Sequence, residues 1–172
     1  VSSISGISLT DGTTPTLHLQ VAQLAAAATV IARIGTPFAI AISDTAAHVQ
    51  SDLASGGSVL LAHAGALTGI TLTDGGVPPI ALSMTQVDAA SAVLALIGGS
   101  FALSIADTAA NVQADLTSAT PTLLAMLPDL AGITLTDGGS PTITLTVAQI
   151  AADAAALSLI GSSWTLGVQD TA

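Results

Sequence analysis

Cysteine is absent from the chain, and so are lysine, glutamate and tyrosine. Without cysteine there are no disulfides and no thiolate metal sites, and the redox compartment leaves no mark on the sequence. The one cation besides the termini is Arg33, set against eleven acids that are all aspartate, for a formal net charge of -10. A nucleic-acid partner is excluded, because neutralising phosphates takes clustered Lys and Arg. An anionic membrane surface repels such a chain for the same reason. Long apolar runs are missing too. The best candidate for a membrane span, residues 21–42, carries Arg33, Gly35 and Pro37, and other apolar runs break before about 20 residues. No membrane insertion is expected.

What remains is apolar and small. Ala, Thr, Ser, Leu, Ile and Gly dominate the 172 residues, and 51% of the chain is hydrophobic. That is enough for one sizeable core or a row of smaller ones.

The main feature is an internal repeat. Ile7-Ser-Leu-Thr-Asp-Gly12 recurs as Ile70-Thr-Leu-Thr-Asp-Gly75 and Ile133-Thr-Leu-Thr-Asp-Gly138. Asp44-Thr-Ala-Ala47 recurs at Asp107–Ala110 and begins again at Asp170. Every offset is 63 residues, without insertion or deletion. The domain reading is a partial first repeat over 1–66, a second over 67–129 and a partial third over 130–172. Val1 falls in mid-pattern, so an excerpt or processed product of a longer array is expected.

Within one unit, residues 101–106 alternate large and small side chains, the period of a strand with one buried face. Asp107 or Thr108 is placed to cap a helix through Leu116, which Pro121 interrupts and Leu123–Leu127 resumes. Residues 133–136 read as the next strand. Asp137-Gly138 reads as a hairpin turn, with residues 143–147 as the return strand. Thr146 and Gln149, like Ser83 and Gln86, have capping-box spacing, from which Gln20 and Gln23 depart. A helix is predicted over Val147–Ile160, with Gly161, and Gly35 and Gly98 before it, in the left-handed C-terminal position. One aromatic per unit, Phe38, Phe101 or Trp164, reads as a core plug.

The fold class is therefore α/β: tandem 63-residue strand-helix-strand-strand-helix repeats. With no linker between units, they are expected to stack as a solenoid-like array, helices on one face of the sheet. The alternative is a row of small separate domains, whose element order resembles that of BON-type modules.

No catalytic constellation is visible, and no enzyme is expected. His18, His48 and His63 align with Ala81, Asn111 and Met126, so none of them recurs. The Thr-x-Thr pairs resemble the flat arrays of ice-binding solenoids, but they are irregular, and strand propensity suffices to explain them. The recurring acids carry more weight: Asp11, Asp74 and Asp137; Asp44, Asp107 and Asp170; Asp52 and Asp115. One reading makes them helix caps and turn residues. The other places Ca²⁺ between stacked columns of Asp11, Asp74, Asp137, Asp44, Asp107 and Asp170, since calcium takes six to eight oxygens. No other cofactor is expected.

The segments Ile-Thr-Leu-Thr-Asp-Gly-Gly-x-Pro and Asp-Thr-Ala-Ala-Asn-Val resemble tandem repeats of very large secreted bacterial surface proteins, which often leave the cell by type I secretion. The resemblance spans nearly the whole chain. It implies export, an extracellular or cell-surface location and a scaffold or adhesive role, and it carries over no ligand and no functional residue. The expected function is a structural repeat module that joins copies of itself head-to-tail into a fibre, sheath or surface layer. The alternative is a calcium-stabilised adhesin segment binding a surface or glycan.

Overall fold

The computed structural model describes residues 5–170. In chain order the elements are β1 (Thr16–Leu19), α1 (Val21–Ile31), β2 (Ala39–Asp44), α2 (Ala46–Leu53), α3 (Val59–Ala62), β3 (Leu67–Leu72), β4 (Pro79–Leu82) and α4 (Met84–Leu94). They continue as β5 (Ile97–Gly98), β6 (Ala102–Asp107), α5 (Ala109–Leu116), α6 (Thr122–Ala125), β7 (Leu130–Leu135), β8 (Thr142–Leu145), α7 (Val147–Ala152), α8 (Ala154–Ser158) and β9 (Thr165–Val168). The fold is α/β, and its strand pairs are parallel.

The chain divides into two compact units. One runs to Gly76 and includes Ala92–Gly99, and the other holds Val77–Ser91 and the chain from Ser100. The first unit contains a sheet of order β1-β2-β3-β5. The second contains the sheet β4-β6-β7 and the pair β8-β9.

Pairing registers recur at the offset of the sequence repeat. Thr16 faces Ala39, Pro79 faces Ala102, and Thr142 faces Thr165. Ile42 faces Ile70, and Ile105 faces Ile133. Even the irregularity in pairing repeats, between Ile40 and Ala41 and between Leu103 and Ser104. Alternation explains why these segments are strands: β6 buries Leu103, Ile105 and Asp107 and turns Ala106 to solvent. Parallel neighbours need crossover connections, which the helices supply.

Helix starts follow local chemistry. Thr45 and Thr108 accept the N–H of His48 and Asn111 at 3.3 Å, opening α2 and α5. Thr146 and Gln149 form the expected capping box, and so do Ser83 and Gln86. Gln20 and Gln23 also form a capping box, with Gln20 in the place of the hydroxyl residue and Gln23 Oε1 accepting the Gln20 N–H at 2.9 Å.

Four sequence expectations are corrected. The Asp-Gly turn does not make a hairpin. β3 lies in one sheet and β4 in another, and β7 pairs with β6 while β8 pairs with β9. A two-residue hairpin of type I′, the turn that Asp-Gly favours, needs positive φ at both central residues. Here, within each connection, only Gly76 or Gly139 has it. The glycines 35, 98 and 161 are not left-handed C-caps, having no positive φ. Gly98 belongs to β5, and Gly35 and Gly161 each donate an N–H at 2.9 Å to the carbonyl of Ile7 or Ile133. The helix expected over Val147–Ile160 is broken at Asp153 into α7 and α8. Finally, of the three aromatics only Phe101 is fully buried, and Phe38 and Trp164 are half-buried.

Substitutions between repeats compensate one another. β8 carries Thr142 and Thr144 where β4 has Pro79 and Ala81, and the facing residue is Gly167 rather than Ser104. A Cβ at Gly167 would lie 2.7 Å from Thr144 Oγ1 and 3.2 Å from Thr142 Cγ2.

Leu103 is wholly buried in the central strand of its sheet. Leu103→Ala is expected to cost about 2–5 kcal/mol, read from urea denaturation. Thr134→Ala on the exposed face should stay within about 0.5 kcal/mol of wild type.

Candidate functional site: aspartate-capped helix starts

The recurring aspartates sit where strand ends meet helix starts. Asp44 closes β2, and its Oδ2 accepts the Val21 N–H at the start of α1 at 2.9 Å. Its Oδ1 accepts the Thr45 N–H at 2.8 Å and contacts His48 Nδ1 at 2.6 Å. Asp107 does the same at the end of β6. Oδ2 accepts the Met84 N–H at 2.8 Å, and Oδ1 accepts the Thr108 N–H and Asn111 Nδ2, both at 2.7 Å. Both carboxylates are buried.

Asp74 and Asp137 reach the same helix starts from the other side. Asp74 Oδ2 accepts the Ala46 N–H at 2.6 Å, and Asp137 Oδ2 accepts the Ala109 N–H at 2.5 Å. The structure thus brings Asp44 together with Asp74, and Asp107 with Asp137, at the N-termini of α2 and α5. Asp11 and Asp170 are exposed, near the two ends of the described chain. Asp52 and Asp115 cap the short helices in turn. Asp52 accepts from Val59 and Leu60 N–H at 3.0 and 3.1 Å, and Asp115 from Thr122 and Leu123 at 2.7 and 3.1 Å.

Burial pushes the Asp44 carboxyl up, but hydrogen bonds from His48, Thr45 and Val21 outweigh it and hold the group below its ordinary 3.8. Burial likewise opposes the bonds from Thr108, Asn111 and Met84 at Asp107, with the same net lowering. Both carboxylates therefore contribute stability above the unfolded-state value, and it is lost as pH falls through the folded one. Asp115 moves the other way: burial and the nearby Asp88 raise it against the N–H bonds of Leu123 and Thr122.

Beside these caps runs a groove in each unit. In the first unit it has a volume of about 320 Å³ and is lined by Val21, Ala25, His48 and Asp52. In the second it has about 330 Å³ and is lined by Met84, Asp88, Asn111 and Asp115 at the corresponding positions. The carboxylates of Asp52 and Asp115 are spent on backbone N–H groups. Among the described residues no three His or Asp side chains converge as a metal site requires. No helix there is long and apolar enough to cross a membrane.

Two participants are not evident from the sequence. His48 reads there as a chance substitution, yet it holds Asp44 as Asn111 holds Asp107. The signal is that both side chains present a nitrogen at the same position. Asp153 stands where the other repeats have Ala27 and Ala90. It is 2% exposed, and its Oδ2 has no hydrogen-bond partner among the described residues. Burial, with Asp115 nearby, pushes its carboxyl up. His18 is exposed on β1, and His63 Nδ1 lies 2.9 Å from its own helix carbonyl at Val59.

No family model, no curated protein and no solved structure matches the chain.

A carboxyl raised in the folded state costs stability once pH exceeds its unfolded value, because folding then opposes ionisation. Asp153→Ala is therefore expected to stabilise the fold at pH 7 by about 1–3 kcal/mol, the cost of an unsatisfied buried polar group, and so to raise the melting temperature. The ionisation-linked part of the gain should vanish below pH 3.8, leaving only the cost of the missing hydrogen bond, as read by circular dichroism melts at both pH values. Millimolar calcium is expected to leave the wild-type melting temperature unchanged; a ligand favouring the native state would raise it.

Proposed function

We propose that the chain is an extracellular structural repeat module, not an enzyme, that joins copies of itself head-to-tail to build or extend a fibre, sheath or surface layer. Its 63-residue units form a solenoid-like array with the helices on one face. The observation that carries this reading is the recurrence of strand register together with aspartate bridges. Asp44 and Asp107 each reach back 23 residues to a helix start, and Asp74 and Asp137 each reach back 28. Each repeat is thereby tied to its own earlier elements by the same bonds, which is how a one-dimensional array derives stability from neighbour contacts.

Composition supports the same role. A surface with one cation and no lysine lacks the usual charged guard against strand-edge association. A heterologous contact that does not close on itself yields open filaments. The resemblance to repeats of large secreted bacterial surface proteins supports a location outside the cell. The calcium-stabilised adhesin reading has less support, since Asp44, Asp74, Asp107 and Asp137 already accept N–H groups.

Molar mass by light scattering, across a wide concentration range, tests self-association. Growth into open-ended species, seen as filaments or sheets by electron microscopy, is the expected result. A constant monomer mass at every concentration would overturn the assembly reading.

A further inference from the structure

The strand β8 has one edge that no other strand covers. Among the described residues it pairs with β9 alone. Thr165 and Gln169 donate their N–H groups to the carbonyls of Pro141 and Leu145, at 2.8 and 3.0 Å. Successive residues of a strand turn their backbone groups to opposite edges. Pro141, Ile143 and Leu145 therefore serve β9, and Thr142, Thr144 and Thr146 face outward. Residues 142–147, Thr-Ile-Thr-Leu-Thr-Val, are six uncharged residues without proline, mostly strand formers. That is the composition of segments that stack on one another as strands. The usual guards of such an edge are lysine, proline and bulges, and the chain has no lysine. β4 has Pro79 in the place of Thr142 and so lacks that outward N–H. β8 does not share this protection.

Side-chain amides stand where a neighbouring strand would. Gln113, half-buried on α5, brings its Oε1 to the Thr144 N–H at 2.6 Å, across 31 residues of sequence. Gln149 Oε1 accepts the Thr146 N–H at 2.9 Å. In the second repeat Gln86 Oε1 accepts the Ser83 N–H at 2.8 Å, at the position of Thr146. Gln149 and Gln86 belong to capping boxes and would be present for the helix start alone. Gln113 has no such local duty. The start of α5 is closed by Thr108 and Asp137, and nothing there needs residue 113. Its amide leaves the helix to meet one backbone donor of β8, and Gln50 keeps the residue type in the first repeat.

We propose that Gln113, together with Gln149, closes the outer edge of β8 against an added strand, and that without the Gln113 amide this edge pairs with residues 142–147 of a second copy. A chain with one arginine and no lysine cannot guard a strand edge by positive charge, so it occupies the outward N–H groups instead. The amide oxygen satisfies the donor and offers no further ladder beyond it, so pairing stops at a side chain. Identical uncharged segments are the natural partners of an opened edge, because they stack on one another in register. The seal is independent of the head-to-tail reading above: it concerns an edge that stays out of any assembly.

Amide hydrogen exchange and light scattering test the two halves of the proposal. In wild type the Thr144 amide should exchange as slowly as those of Ile143 and Leu145, which belong to the β8-β9 ladder. In Gln113→Ala, where alanine keeps the helix, Thr144 exchange should rise about tenfold, the weight of one hydrogen bond left unmade, with Ile143 and Leu145 unchanged. That variant should grow in molar mass at a concentration about tenfold lower than wild type. Adding Thr144→Pro removes the freed donor, as Pro79 does in β4, and should return growth to within about twofold of wild type. Circular dichroism melts check that both variants are folded. A folded Gln113→Ala protein that grows no more readily than wild type overturns the proposal. So does a folded double variant that grows like the single one, because pairing then runs through another edge. A wild-type Thr144 amide that exchanges as an unprotected one also overturns it, and needs no variant. If Gln113→Ala grows while wild type stays monomeric at every concentration, the seal stands and the head-to-tail reading falls.

Discussion

The structure depends on aspartate carboxylates accepting backbone N–H groups at helix starts that lie far back in the chain. A helix leaves its first N–H groups unpaired and carries positive potential at that end. With one arginine and no lysine, those N–H groups are the principal counter-charge available to eleven carboxylates. A bond from a neutral donor to an ionised acceptor is worth about 1.5–3 kcal/mol. Asp107 makes three of them and joins the end of β6 to the starts of both α4 and α5. One side chain thus sets where a strand stops and where two helices begin. This accounts for aspartate, with its short reach, at Asp44, Asp52, Asp74, Asp107, Asp115 and Asp137.

Substitutions between repeats follow the same constraint. His48 and Asn111 differ in size and chemistry, but each brings a nitrogen to the carboxylate below it. Thr36 and Ser162 each offer a hydroxyl to a strand N–H, that of Leu9 or Leu135, at 3.0 and 2.8 Å. Asp153 is the exception. It puts a carboxylate where Ala90 is buried, and the helix that runs unbroken through α4 is interrupted there. Tolerance to change in this fold is set by hydrogen-bond function at the caps and by volume in the core.

Much of the architecture was legible because its causes are local. Capping boxes, alternation within strands and the Pro121 interruption act over a few residues, and the repeat supplied the domain grammar. The hairpin misreading shows where local cues stop. Thr-Asp-Gly-Gly is good turn chemistry, and nothing within it says that the aspartate will be held by an N–H 28 residues earlier. The glycines at 35, 98 and 161 misled in the same way. They follow helices, as C-cap glycines do, yet they serve short parallel bridges whose partner lies 27 or 28 residues away.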